Sequence, residues 1–177
     1  MKKLALITTL SVVGIANTQA ADGTITINGL VTDQTCQIVT PAGKDFTVTL
    51  PNVSRQTLAA TGDVAGRTPF QIKLDQCSKG KVATYFEPGA TVDFSNGRLN
   101  NQTVGGANNV KVQLLGSNNQ FIPVLATGSN GAQTNSQWVD VVDNGSADLN
   151  YYAEYYATGA STAGRVSTSV QYTIIYQ

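Results

Sequence analysis

Cys36 and Cys77, and a loose run of carboxylates at Asp140, Asp143, Asp148 and Glu154, are the side chains here with most capacity for chemistry. A thiol pair can form a disulfide, exchange electrons or hold a metal. Paired carboxylates can bind calcium or serve as acid and base in glycoside hydrolysis. The spacing favours none of the reactive options. Redox and metal sites need closer cysteines or more ligands, and the acidic run lacks the ordered Asp/Asn-Gly-Glu pattern of a calcium loop. Asn144-Gly145 within that run reads as a hairpin turn, which makes the carboxylates solvated strand ends and loops. The chain contains no His, which removes Ser-His-Asp and Cys-His catalysis and every His-ligated metal. No catalytic residue, metal or cofactor is expected. Trp138 is the one candidate sugar platform, but its alternation with Asp140 reads as strand packing. Tyr151, Tyr152, Tyr155 and Tyr156 fall two on each face of their strand, as core and surface packing. Asn101-Gln102-Thr103 and Asn144-Gly145-Ser146 match the glycosylation sequon, a pattern that chance supplies in a chain this rich in Asn and Thr.

The elements that would carry these residues belong to an uncharged, polar chain. Of 177 residues, 41% are hydrophobic and 12% charged, with formal net charge zero. Soluble domains average about 25% charged residues. Disorder would require high charge with few apolar residues, and a nucleic-acid binder usually shows a basic domain. Lys79-Gly80-Lys81 is too small a cluster for either a nucleic acid or a membrane surface. Richness in Thr, Asn, Gln, Ser and Gly suits an extracellular β protein.

Residues 1–20 read as a secretory signal. Lys2 and Lys3 form its positive start, Leu4 to Ile15 its apolar stretch, and Thr18-Gln19-Ala20 its cleavage site, with cleavage after Ala21 the next choice. The apolar run is shorter than the roughly 20 residues of a membrane span. Losing Lys2 and Lys3 leaves nine basic residues against eleven acidic, a slightly acidic exported chain without membrane insertion. In an oxidising compartment the isolated pair Cys36 and Cys77 is most simply a disulfide.

Period-two alternation dominates. Strands are expected at 24–31, Phe46 to Leu50, Phe70 to Leu74, Val82 to Phe86, Thr91 to Phe94, Val110 to Leu114, Phe121 to Leu125, Gln137 to Val142, Leu149 to Ala157 and Val166 to Tyr176. Turn pairs Asn96-Gly97, Gly105-Gly106, Asn130-Gly131 and Asn144-Gly145 separate several of them. A short helical turn fits only within 54–65. Such a run of short strands indicates an all-β sandwich of one domain.

The two ends carry more. The C-terminal strand places Val166, Val170, Tyr172, Ile174 and Tyr176 on one face, with Gly164 fourteen residues from the end and Tyr176 penultimate. Gly23 to Val31 leads to Cys36, and Phe70-Gln71-Ile72-Lys73-Leu74 leads to Cys77. Ala107 to Leu115 and Tyr151 to Thr158 follow in order. Together these segments resemble pilin subunits assembled by the chaperone–usher pathway, nearest to the major subunits of type 1 and type 3 fimbriae.

That resemblance implies an incomplete immunoglobulin-like β-sandwich, completed by a donor strand from a neighbouring subunit. It divides the chain into a signal peptide (1–20), an N-terminal donor-strand extension (21–32) and a pilin domain (33–177). Ile25, Ile27 and Val31 would be the donor plugs, and Gly29 would stand where a side chain would collide with the groove. Gly164, Val166, Val170, Tyr172, Ile174 and Tyr176 would form the acceptor groove and the chaperone-binding strand. The implied partners are copies of the chain, a periplasmic pilus chaperone and an outer-membrane usher. The implied product is a surface fimbria for adhesion and biofilm formation. Only Ala21-Asp22 precede Gly23 after cleavage at Ala20, a shorter arm than in some relatives. The competing reading is a secreted monomeric carbohydrate-binding β-sandwich.

Overall fold

Alternating apolar and polar residues give one face to a core and the other to water, and antiparallel sheets follow. The computed structural model describes residues 22–125 and 131–177. The expected signal segment, both cleavage points and Asn130 lie outside these residues. The described chain divides after Val31 into two units, residues 22–31 and Thr32–Gln177.

The second unit carries β1 (Gln37–Ile38), β2 (Val64–Cys77), β3 (Gly80–Phe86), β4 (Val92–Asp93), β5 (Arg98–Asn100), β6 (Val110–Leu115), β7 (Phe121–Ile122), β8 (Val139–Val141), β9 (Gly145–Ala157) and β10 (Tyr172–Tyr176). A single 3-10 turn, Arg55–Leu58, stands among the described residues, its start capped by the Ser54 hydroxyl accepting from the Gln56 amide. One antiparallel sheet has the order β1-β2-β9-β6-β5-β4, with β7 also on β6; the other has the order β10-β3-β8. The long β2–β9 pair forms the spine, broken by irregularities between Ala65 and Thr68 and between Leu74 and Cys77.

Ile72, Leu74, Leu149 and Tyr151 from the larger sheet meet Val82 and Phe86 from the smaller, all essentially closed to solvent. Tyr151 and Phe86 pack edge to face at 5.2 Å between centroids, a geometry that suits the ring quadrupoles. Cys36 and Cys77 are disulfide-bonded, which staples the approach to β1 onto the end of β2.

Several local expectations change: residues 24–31 form no strand, and of the strand expected over Val166 to Tyr176 only Tyr172–Tyr176 joins a sheet. Asn144-Gly145 is not a hairpin turn: β8 pairs with β3 and β9 with β2 and β6, so this turn carries the chain from one sheet to the other. The Asn-Gly signal specifies a reversal, closed here by Gly145 N–H on the Val142 carbonyl at 2.9 Å with Asn144 at φ 56. It does not specify which sheet receives each flank. Residues 46–50 keep strand-like alternation of burial but join no sheet. Glu154 is buried rather than solvated, for reasons given below.

Candidate functional site, an open groove beside the C-terminal strand

Successive residues of an extended chain turn their backbone groups to opposite sides, so hydrogen bonding along one edge engages every second residue. In the C-terminal segment the odd-numbered positions are engaged. Arg165 O accepts from Ala107 N (3.0 Å), Ser167 O from Gln102 N (2.8 Å) and Gln171 O from Glu87 N (2.8 Å). Ser169 O accepts from the Thr91 hydroxyl at 2.6 Å. Gln177 exchanges both bonds with Lys81, at 2.8 and 3.0 Å. The intervening Val166, Thr168 and Val170 make no backbone hydrogen bond among the described residues. Their N–H and C=O groups leave an unpaired edge on the extended segment that leads into β10, which invites another strand.

The facing wall is residues 44–52. Phe46, Val48 and Leu50 pack on the core while Thr47 and Thr49 are exposed. No backbone–backbone hydrogen bond engages residues 44–53 among the described residues. Between the walls runs a groove of about 1730 Å³, floored by Ile72, Phe86, Leu99, Val112 and Leu114. Small-molecule pockets are typically about 300–1,000 Å³, so this space suits a length of polypeptide. Eleven extended residues from Gly164 to Ile174 span about 33 Å.

Each C-terminal residue singled out in the sequence has a place here. Val166, Val170, Tyr172, Ile174 and Tyr176 are half-buried against the main core. The Tyr172 hydroxyl donates to the Lys44 carbonyl at 2.8 Å and its ring lies 6.4 Å from Phe46, which ties the two walls together at one end. Burial, then the charge of Asp45, push its pKa up, so the hydroxyl keeps its proton. The Tyr176 oxygen accepts from the Cys36 amide at 3.1 Å. Gly164 lies against Gly106 at the other end, where a Cβ would be 2.6 Å from the Gly106 carbonyl carbon. Thr168 Oγ1, also facing the groove, is enclosed without a hydrogen-bond partner.

The first unit supplies the complementary feature. Residues 24–31 alternate like a strand yet form none. Ile25 and Ile27 are each 89% exposed and Val31 98%. Exposing three β-branched apolar residues at alternate positions forgoes about 1.5–3 kcal/mol apiece. A Cβ on Gly29 would meet nothing within 4 Å, so crowding there is not a property of this chain by itself.

Sequence reasoning missed a polar network on the outer face of the larger sheet. Glu154 sits opposite Gln113 across β9 and β6 and accepts from its amide at 2.7 Å. Arg67 Nε donates to the same carboxylate at 2.8 Å, and Arg98 Nε donates to Gln113 Oε1 at 2.9 Å. The Arg98 guanidinium lies over the rings of Tyr156, at 3.6 Å, and Phe121, at 4.3 Å. Hydrogen bonding to Glu154 raises the Arg67 pKa, while burial lowers that of Arg98. Asp93, bonded to Lys111 and to Ser95, is held well below the usual carboxylate range. No group of acidic, His or Cys side chains among the described residues could hold a metal. Trp138 is half-buried with its indole N–H enclosed, as strand packing places it.

A two-sheet antiparallel sandwich with one open groove, an unpaired edge beside its last strand and an exposed apolar arm is the architecture of a subunit built to be completed by another strand. The chain belongs to the family of FimA, type-1 fimbrial protein A, whose model matches residues 50–177. It is 68% identical over 158 residues to the major fimbrial subunit SMF-1 of Stenotrophomonas maltophilia strain K279a, covering 89% of this chain and 94% of that one. The F17 fimbrial protein of Escherichia coli is 44% identical, with 90% of each chain covered. The fold resembles a subunit in the structure of a chaperone–usher pilus, with TM-score 0.61 and 22% identity over 89% of this chain and 96% of that one. The P pilus rod subunit PapA gives TM-score 0.58 and 20% identity over 80% of this chain and 99% of that one. The all-β, incomplete immunoglobulin-like class expected from the two ends is therefore the observed one. No helix among the described residues is long and apolar enough to cross a membrane.

Proposed function

We propose that this chain is a structural pilin whose groove is filled by residues 24–31 of the next copy, so that the subunits polymerise into a surface fimbria. The free edge of Val166, Thr168 and Val170 beside a groove of about 1730 Å³ carries this reading. Strand addition of this kind draws affinity from main-chain bonds and specificity from alternate side chains. Ile25, Ile27 and Val31 are the plugs and Gly29 crosses a crowded point. An arm running from 24 to 31 spans about 23 Å, inside the length of the groove.

Before assembly the same edge needs cover, because an unpaired apolar edge templates aggregation. A periplasmic chaperone lends that cover along the strand from Gly164 to Tyr176, and an outer-membrane usher exchanges it for the neighbour's arm. The division into a signal over 1–20, an extension over 21–32 and a domain over 33–177 belongs to this reading, as do export to the cell surface and a part in adhesion and biofilm formation. The role is architectural and requires no catalysis.

The experiment is deletion of residues 21–31, with electron microscopy of the product and a synthetic peptide covering them added in trans. The intact chain should form fibres. The truncated chain should form none, yet bind the peptide one to one and melt at higher temperature with it. Fibre growth from the truncated chain would sink the donor assignment.

A further inference from the structure

The point where the second unit begins is unusually well tied down. Immediately after the division at Val31, three consecutive residues are each held by a different bond. Gln34 Nε2 donates to the Lys79 carbonyl at 3.0 Å. The Thr35 carbonyl accepts from Ser78 N at 2.9 Å. Cys36 N donates to the Tyr176 hydroxyl at 3.1 Å, and its sulfur is bonded to Cys77. Gly80 makes the seat. A Cβ there would stand 2.5 Å from Gln34 Nε2 and 3.0 Å from the Gln177 carbonyl oxygen. A side chain at Gly80 would displace the Gln34 amide from its place beside the chain end.

We infer that Gln34, seated on Gly80, is a positioning residue that latches the root of the arm, leaving Thr32 and Asp33 as the joint between successive subunits. The inference rests on the donor-strand reading. An arm locked in a neighbour's groove and a root locked from Gln34 onward leave two residues to absorb all bending. Releasing Gln34 lengthens the free joint from two residues to three, because the Thr35 carbonyl stays held by Ser78 N, and a flexible linker's compliance grows with its length. The Gln34 side chain reaches no groove residue, so its loss leaves the groove and the plugs as they were.

The test compares full-length mature wild type with Gln34→Ala, Gln34→Glu and Gln34→Lys. Two measurements are made: amide exchange on the unpolymerised subunit and persistence length of fibres by electron microscopy. In Gln34→Ala, exchange at Ser78 and Cys36 should rise about fivefold, the effect of one lost hydrogen bond. Its fibres should form, with persistence length reduced by about a third by the longer joint. Gln34→Glu, which sets a carboxylate against a carbonyl, should behave like Gln34→Ala, and Gln34→Lys, which restores a donor, should behave like wild type. Melting temperatures of the four subunits should differ by no more than the few degrees one hydrogen bond is worth, which separates positioning from a general loss of stability. Wild-type stiffness in Gln34→Ala fibres, or unchanged exchange in its subunit, overturns the latch. Fibres from a wild-type chain lacking residues 21–31 would instead remove the donor-strand reading, while the exchange measurement still decides whether the latch exists.

Discussion

Gly164 packs directly on the backbone of Gly106, with room for no side chain on either: a Cβ on Gly164 would lie 2.6 Å from the Gly106 carbonyl carbon. A Cβ on Gly106 would in turn run into the Arg165 carbonyl oxygen. That crossing brings the Arg165 carbonyl onto Ala107 N and starts the one-sided hydrogen bonding of the last strand. Gly164 thus belongs to the frame of the groove rather than to its lining surface. Gly164→Ala should cost about 1–3 kcal/mol, as overpacking does, and Gly106→Ala a similar amount. Urea unfolding of the disulfide-intact subunit measures both; a neutral Gly164→Ala would show that the crossing can relax.

The plugs should differ from the residues between them. Burial of one large aliphatic side chain is worth about 1.5–3 kcal/mol, so Ile27→Ala in the arm peptide should weaken its binding to the truncated subunit by roughly tenfold to a hundredfold. Thr26→Ala, on the other face of the extended arm, should change binding little. Titration calorimetry with the three peptides gives the comparison. Equal losses for Ile27 and Thr26 would mean that the alternation does not set the register.

The disulfide follows from an isolated cysteine pair in an exported chain, and the groove strand only from the resemblance of the two ends to a known family. Period-two alternation is enough to read the sandwich, because it depends on local order along the chain. Phe70, Ile72 and Leu74 show it: their spacing alone puts them on one face, and the structure packs that face inward. What could not be read depends on which strand lies beside which. Glu154 looks like any exposed strand carboxylate until β6 sets Gln113 opposite it and β2 brings Arg67 across. Asn144-Gly145 misled for the same reason, since a reversal signal is silent about whether its flanks share a sheet. A glutamate flanked by Ala153 and Tyr155 in a run of aromatics was the one local hint, and it does not name a partner.

The outer-face network gives a stability test. Glu154 is buried, whereas Arg67 is 41% exposed, so removing the arginine leaves a carboxylate short of a donor. Arg67→Ala should therefore cost about 1–3 kcal/mol. Arg67→Ala with Glu154→Gln should recover part of that loss, because the amide carries no charge to desolvate. Thermal unfolding of the single and double variants measures the coupling. Strict additivity would show that solvent already screens the pair.

Cys36→Ser with Cys77→Ser opens the staple between β1 and β2. In the chain-entropy model, closing a loop of this size is worth roughly 4 kcal/mol. The double variant should unfold at clearly lower urea concentration and refold in lower yield. Wild-type unfolding in the double variant would mean that the β1–β2 pairing and the Cys36–Tyr176 bond suffice without the covalent link.

Alkaline pH should loosen the walls of the groove. Burial raises the pKa of Tyr151 in the core, of Tyr155 beneath the groove, and of Tyr172, whose hydroxyl ties Lys44 to the last strand. A folded-state pKa above the unfolded value of about 10 means that the unfolded chain loses its protons first. The stability from these three groups is therefore whole below about pH 10 and is lost as pH rises through their folded values. Urea midpoints measured between neutral pH and pH 11 should hold level and then fall, and Tyr172→Phe should fall less steeply while starting lower for want of the Lys44 bond. A slope unchanged by Tyr172→Phe would assign the alkaline loss to Tyr151 and Tyr155 alone.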